Sequence, residues 1–465
     1  MNSPLSIFSP LDHARFKRFH LKSVLTTGMG VFTDGYDLSS LGIVLPLALA
    51  SFGVKSLTGL ESSLLAGSAL VGAALGALIF GGLANRGRKA FYGLDVLIMA
   101  LAGLLQAFVP NIPALIAVRF VLGIGVGADY VLSPLIMGEH ANVSDRGKSM
   151  AVGFGLTWGL GATFAAVLYL LLAAGHVPSD LIWRIVLGFG AVPAAAVIYL
   201  RRQMPETARF LARIRGDKDK LHQVITEVAG APVAPEPTDV ADPRSPFEYL
   251  SQLKGRFFVA ALLWFLFDIV AYSGILFGPS LIAKGIGLTA GTFQLVMEFG
   301  FVVPGGLIAL LLIDRWGRKP LQTLGFLGMA VLLLAFSMYR AQLTALPLAG
   351  LFVYGLENLI QQAGPGSVSA SGVLGVELAP TKIRAWVQSW TVAAGRLGAA
   401  LTAFVFPALF QRYGESFAIT FLASVALLAA VVTLVGVPET KNQPLEITSG
   451  EIGPDAIQGP LEPTA

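Results

Sequence analysis

The sequence predicts an all-α membrane protein of twelve transmembrane helices arranged as two six-helix repeats. Three observations carry this. Of 465 residues, 55 % are hydrophobic and only 13 % are charged, with mean hydropathy +0.72, whereas a soluble chain uses about 25 % charged residues to cover its exterior. The apolar residues fall into stretches of the roughly 20 residues that cross a bilayer. Short polar motifs recur at one near-constant offset. The chain has no cysteine, which excludes disulfides, thiolate nucleophiles and cysteine-ligated metals, and its five histidines read as loop or interface residues. No metal, cofactor or enzymatic constellation is expected. The net charge of +4 is scattered over loops rather than gathered into a patch, which argues against a nucleic-acid partner.

The first span, near 22–50, is too long and lacks the small-residue cleavage pattern of a signal peptide. The second (61–84) ends at the polar loop Asn85-Arg86-Gly87-Arg88-Lys89, and the third (91–110) carries Asp95 near its start. The fourth (113–138) holds Gly123, Gly125 and Gly127, which permit close helix approach, and Pro134, which loosens the helix beside Asp129. Spans five (149–174) and six (182–200) complete the first half. The stretch 201–255 is rich in charge and includes Pro235-Glu236-Pro237, a linker with one amphipathic helix near 206–228. Spans seven to twelve follow near 256–283, 291–313, 321–339, 345–373, 386–411 and 415–437. The domains are therefore an N-terminal bundle (1–200), the linker (201–255), a C-terminal bundle (256–440) and a tail (441–465).

With the N-terminus inside, about 25 of the 32 Lys and Arg residues fall on one side, and the other keeps Lys55, Arg184, Lys284, Arg340 and Arg412. The positive-inside rule then makes both termini and the linker cytoplasmic in a cell membrane. Internal repetition is equally direct. Gly87-Arg88-Lys89 returns as Gly317-Arg318-Lys319, Glu139 and Arg146 as Glu377 and Arg384, and Pro205-Glu206-Thr207 as Pro438-Glu439-Thr440, at offsets of 230, 238 and 233 residues. Parallel repeats of this kind place a solute site near the midplane between two rocking halves.

Ionisable groups inside hydrocarbon are costly and mark function by default. Asp34 and Asp268 lie 234 residues apart, each about 18 Å into its span, so each half presents one carboxylate to a central cavity. Trp264, Asp268 and Tyr272 follow at i, i+4 and i+8 along one helical stripe, a donor-rich wall for an oxygen-rich solute. Asp34 and Asp37 sit at i, i+3 on nearly one face, where two buried carboxylates resist joint ionisation and one can carry a proton. Asp34, Asp129 and Asp95 form a descending carboxylate series toward the cytoplasm, a candidate proton path. Arg119 and Arg396 are possible charge partners.

These motifs resemble the major facilitator superfamily over almost the whole chain. The resemblance implies gating roles for the loop residues Arg86, Arg88, Asp314, Arg315 and Arg318 and for Glu139, Arg146, Glu377 and Arg384. Asn85 stands where the family's loop has an aspartate, and that copy is one residue shorter. Thr33-Asp34-Gly35-Tyr36-Asp37, Tyr92-Gly93-Leu94-Asp95, Asp129-Tyr130 and Trp264-x3-Asp268-x3-Tyr272 are similar to the phosphate:proton symporter branch. That implies proton coupling by Asp34, Asp37, Asp95 and Asp129, and a phosphate site of Tyr130, Trp264, Asp268 and Tyr272. Thr157 replaces the branch's glutamine in span five, and Gln361 and Gln362 replace its asparagines in span ten, all at anion-contacting places. The expected activity is proton-coupled symport of a small anion, inorganic phosphate first, by a monomer in the bilayer. Asp34-Gly35-Tyr36-Asp37 also resembles the aromatic and organic acid:proton symporters, the second reading. A sugar:proton symporter is third.

Overall fold

The structure is a computed structural model, described for residues 6–230, 243–285 and 287–452; the linker core with Pro235-Glu236-Pro237 and the tail beyond 452 lie outside the described residues, as do the side chains of 277, 279–282, 284, 285 and 344. Among the described residues there are twelve long helices, several shorter ones and no strand. Helix α1 is Arg18–Ser51 and α2 Gly59–Ala84; α3 (Arg88–Gln106) and α4 (Ile112–His140) follow. Helices α5 (Arg146–Ala174) and α6 (Ser179–Arg202) close the first half. The second half contains α7 (Pro246–Gly285), α8 (Ala290–Trp316), α9 (Arg318–Met338), α10 (Pro347–Gln361), α11 (Arg384–Tyr413) and α12 (Glu415–Gly436). Ten of these are long and apolar enough to span a bilayer; α1 is diluted by polar residues and α10 is short.

The departures from the expected spans have local causes. The tenth stretch does not run on to 373: α10 ends at Gln361, passes through a π-turn at Gln362–Gly366 that contains Pro365, and becomes turns before a short helix at Val373–Glu377. The linker helix is broken at Gly216, whose φ of 69° is left-handed, and only Lys218–Ala229 is regular. Its apolar face, with Leu221 and Ile225, packs on Phe8 and Leu11 of the N-terminal segment.

Within the first half α2 lies against α4. A Cβ on Gly123 or Gly127 would collide with the backbone of Ala69 or Ala73, so the two helices touch main chain to main chain. The halves meet where α2 contacts α11 and α5 contacts α8. The first and last described segments meet on one face, where Arg209 joins Asp12 and Glu446; this is the terminal face.

Candidate functional site

Arg396 occupies the centre of the molecule, 2 % exposed on α11. Its guanidinium reaches Asp268 at 3.5 Å and Asp34 at 3.9 Å. It also donates to the Tyr272 hydroxyl and lies 4.3 Å over the Tyr130 ring. The two carboxylates one repeat apart thus converge on one cation, with Trp158 also beside Asp34. Asp268 and Arg396 border a cavity of about 550 Å³ of empty space between the halves, and Asp34 reaches it through Arg396.

Tyr130, Trp158, Asp268, Tyr272, Gln361, Gln362 and Arg396 line this cavity. Three π-turns surround it: Ala151–Leu156 contributes Phe154 and Gly155, Glu298–Val302 its two end residues, and Gln362–Gly366 Gln362 and Gly366. Such turns widen the helix by one residue and re-aim side chains, commonly at functional sites. Two of the expected site residues lie off the cavity wall. Thr157 is not on the cavity wall: its hydroxyl is spent on the Gly153 carbonyl at 2.9 Å and its methyl faces Gly28. Trp158 takes the wall position. Trp264 stands behind the wall, seated over Gly395, with its ring 5.9 Å from that of Tyr130.

Asp34 reaches Arg396, whereas Asp37 lies against Gly190 on α6, within electrostatic reach of both Arg119 and Asp34 and with neither oxygen hydrogen-bonded. Arg119 donates to Gln106 at 3.2 Å. Asp34, Asp129 and Asp95 do not form a descending series of free carboxylates. Arg201 binds Asp95 at 2.5 Å and Asp129 at 2.6 Å, fully buried, with its guanidinium 4.5 Å over the Tyr92 ring. Ser133 adds a hydrogen bond to Asp129, and the Gly93 amide donates to Asp95 at 2.7 Å. A Cβ at Gly30 would strike Asp129 and Arg201, so the bare glycine makes room for the pair. Read in sequence as the first residue of the linker, Arg201 gave no signal of this role.

At the terminal face the three repeated motifs fold into two equivalent clusters. In one, Glu139 accepts from Arg88 at 3.2 Å and from Arg384 of the other half at 2.9 Å, and from the Thr207 hydroxyl. In the other, Glu377 accepts from Arg318 at 2.7 Å and from Arg146 of the first half at 2.7 Å, and from Thr440. The acid of each half is therefore bound by an arginine of the other. Burial disfavours the ionised Glu377, but Arg318 and Arg146 overcome it and lower its pKa. Asp314 holds Arg318 at 2.7 Å and the Lys148 amide at 2.7 Å, while Asn85 leaves its carbonyl oxygen without a partner. Arg86 and Arg315 are exposed beside these clusters. Arg209 ties in both ends of the chain, binding Asp12 at 2.8 Å, Glu446 at 2.7 Å and the Glu139 carbonyl at 2.7 Å. Burial pushes Asp12 up to about 6 against the pull of Arg209.

The sequence profile of the family described as "Sugar (and other) transporter" matches residues 23–450. The "Probable inorganic phosphate transporter 1-10" of Oryza sativa subsp. japonica is 33 % identical, covering 96 % of this chain and 92 % of the relative. The "Low affinity inorganic phosphate transporter 4" of Lotus japonicus is 31 % identical, covering 99 % and 97 %. Among solved structures, the proton:xylose symporter XylE bound to 6-bromo-6-deoxy-D-glucose is similar with a TM-score of 0.78 at 21 % identity, covering 93 % of this chain and 98 % of that chain. The inward-open form of XylE from E. coli gives 0.65 at 21 % identity, covering 93 % and 99 %. With a profile match over residues 23–450, the chain belongs to the Sugar (and other) transporter family, and it shares the fold of XylE.

Proposed function

We propose that this chain carries inorganic phosphate by proton-coupled symport and alternating access. The observation that supports this most is Arg396 between Asp34 and Asp268, in a cavity bounded by both halves. Two carboxylates and one guanidinium leave the empty centre one negative charge in excess, a poor receptor for an anion. A proton on either acid removes that excess and frees guanidinium donors for an oxyanion, with Tyr130, Tyr272, Gln361 and Gln362 supplying further hydrogen bonds. The anion then crosses only with a proton, because a monovalent anion without one would leave the closed, low-dielectric state with two negative charges in excess. The relatives named as inorganic phosphate transporters favour phosphate as the anion.

In this reading the cross-half clusters at Glu139 and Glu377 close the terminal face, which is cytoplasmic. Release requires them to part. Asp37 with Arg119, and Asp95 and Asp129 with Arg201, hold the coupling charges of the first half. The protein works as a monomer in the cell membrane without catalysing a reaction, with the halves and linker divided at the boundaries read from the sequence. Replacing Asp268 with Asn tests the site. Proton-driven accumulation falls at least tenfold while the folded yield is kept; unchanged accumulation overturns the assignment. Arg396 on the cavity wall can hold a carboxylate as well as a phosphate, which favours an aromatic or other organic acid as the second reading.

A further inference from the structure

Two buried carboxylates of the second half take no part in that mechanism. Glu298 lies in the π-turn of α8, 3 % exposed; Gln294 donates to its Oε1 at 2.8 Å, and its Oε2 has no hydrogen-bond partner. Glu357 lies on α10, 4 % exposed; the Asn358 amide lies 3.4 Å from its Oε2, and its Oε1 has no partner. No cation offsets the burial of either among the described residues. Counted from the starts of their helices they sit at about 12 and 15 Å depth, so they lie nearly level. An ionised carboxylate so placed costs several kcal/mol without a counter-ion, and a proton is the simplest one.

Each acid opens on a cavity. Glu298 lines the central one. Glu357 lines a second, enclosed by α7, α9, α10, α11 and α12, which runs from Glu415 at the first turn of α12, past Phe410 and Tyr354. The two cavities share Ala271, Asn358 and Gln361 as a common wall. At the outer end Glu415 is 22 % exposed and paired with Arg340 at 2.6 Å. The groups facing Glu357 are Tyr354, Asn358 and Gln361 on its own helix, Ser273 from α7 and Glu415 from α12. Those facing the space beside Glu298 are Gln294, Asp268 and Tyr272 of α7, Gln361 and Gln362 of α10, Trp158 of α5, Tyr130 of α4 and Arg396 of α11.

We infer that Glu415, Glu357 and Glu298 form a proton inlet through the C-terminal half, leading from the face opposite the termini to the central cavity. Glu298 first gives its proton to the central cavity on the Asp268 side, its carboxylate then takes the proton of the Glu357 carboxyl, and Glu357 is reprotonated from water at the Glu415 end. This rests on the proton-coupled reading above and adds to it a route of supply.

The test uses the full-length protein in liposomes. Phosphate–phosphate exchange at equal pH moves no net proton, whereas accumulation under an inward acid gradient does. Glu357→Gln keeps exchange within about twofold of the unaltered protein and lowers accumulation at least tenfold; accumulation within twofold overturns the inlet. Should Glu357→Gln not fold, Glu415→Gln on the surface slows accumulation several-fold with exchange intact, and no slowing overturns it. A second arm needs no solute. The ligand-free protein shows an infrared carboxylic-acid C=O band at neutral pH that Glu357→Gln removes, and an unchanged spectrum overturns the inlet. If the unaltered protein exchanges no phosphate, the phosphate reading has failed and the infrared arm still decides this one.

Discussion

Arg201 pairs with two buried acids at once, and its removal would strand both. Breaking a buried pair from one side costs about 3–5 kcal/mol because the remaining charge is uncompensated. Arg201→Gln is therefore expected to lower the thermal midpoint of the purified protein strongly, and the triple change Arg201→Gln, Asp95→Asn, Asp129→Asn to recover most of the loss. Thr157→Ala, by contrast, leaves the half-saturating solute concentration within about twofold, since that side chain faces Gly28 rather than the cavity; a tenfold rise would place it back on the wall. The buried acids were legible because hydrocarbon makes each charge conspicuous. Arg201 was not, because an arginine at a helix end beside a polar linker reads as a juxtamembrane charge. The one-residue step from Thr157 to Trp158 was hidden for another reason. The π-turn at Ala151–Leu156 puts an extra residue into the helix and rotates everything after it, and no periodicity in the sequence announces that.

At the scale of elements, the terminal-face clusters were visible as repeated motifs, yet their crossing was not. A repeat says that Glu139 and Glu377 are equivalent; only the packing of α4 against α11 and the start of α5 against α8 shows each acid held by the other half's arginine. Glu377→Gln should weaken the closed terminal face. A cysteine introduced at Ala370 on the cavity wall, in a chain with no native cysteine, then becomes several-fold more reactive to a thiol reagent applied from that face. Unaltered reactivity would mean that the cluster does not hold the face shut. The strap formed by the N-terminal segment, Arg209 and the segment around Glu446 should respond to pH. The folded value of Asp12, about 6, lies above the ordinary 3.8. Its contribution to stability is therefore full below about pH 4 and lost as pH rises through 6, a change of at most about 3 kcal/mol. Asp12→Asn abolishes that component of the pH dependence of thermal unfolding between pH 4 and 7.

For the whole molecule, twelve spans in two repeats followed from hydropathy and motif offsets alone, since the bilayer allows the chain few alternatives. The meeting of the repeats was harder to foresee. Asp34 and Asp268 could be placed at matching depth from the sequence, but the cation between them comes from α11, more than a hundred residues further along the chain than Asp268. That convergence makes the centre of the molecule one charge cluster spanning both halves, which the proposed rocking would open to one face and then to the other. The most direct test of this account is uptake by the reconstituted protein under an inward acid gradient, with phosphate, small carboxylates, an aromatic acid and a hexose offered in parallel. Phosphate accumulation that collapses when a protonophore dissipates the gradient is the predicted result. Preference for the hexose or the aromatic acid, or phosphate uptake indifferent to the gradient, would contradict it.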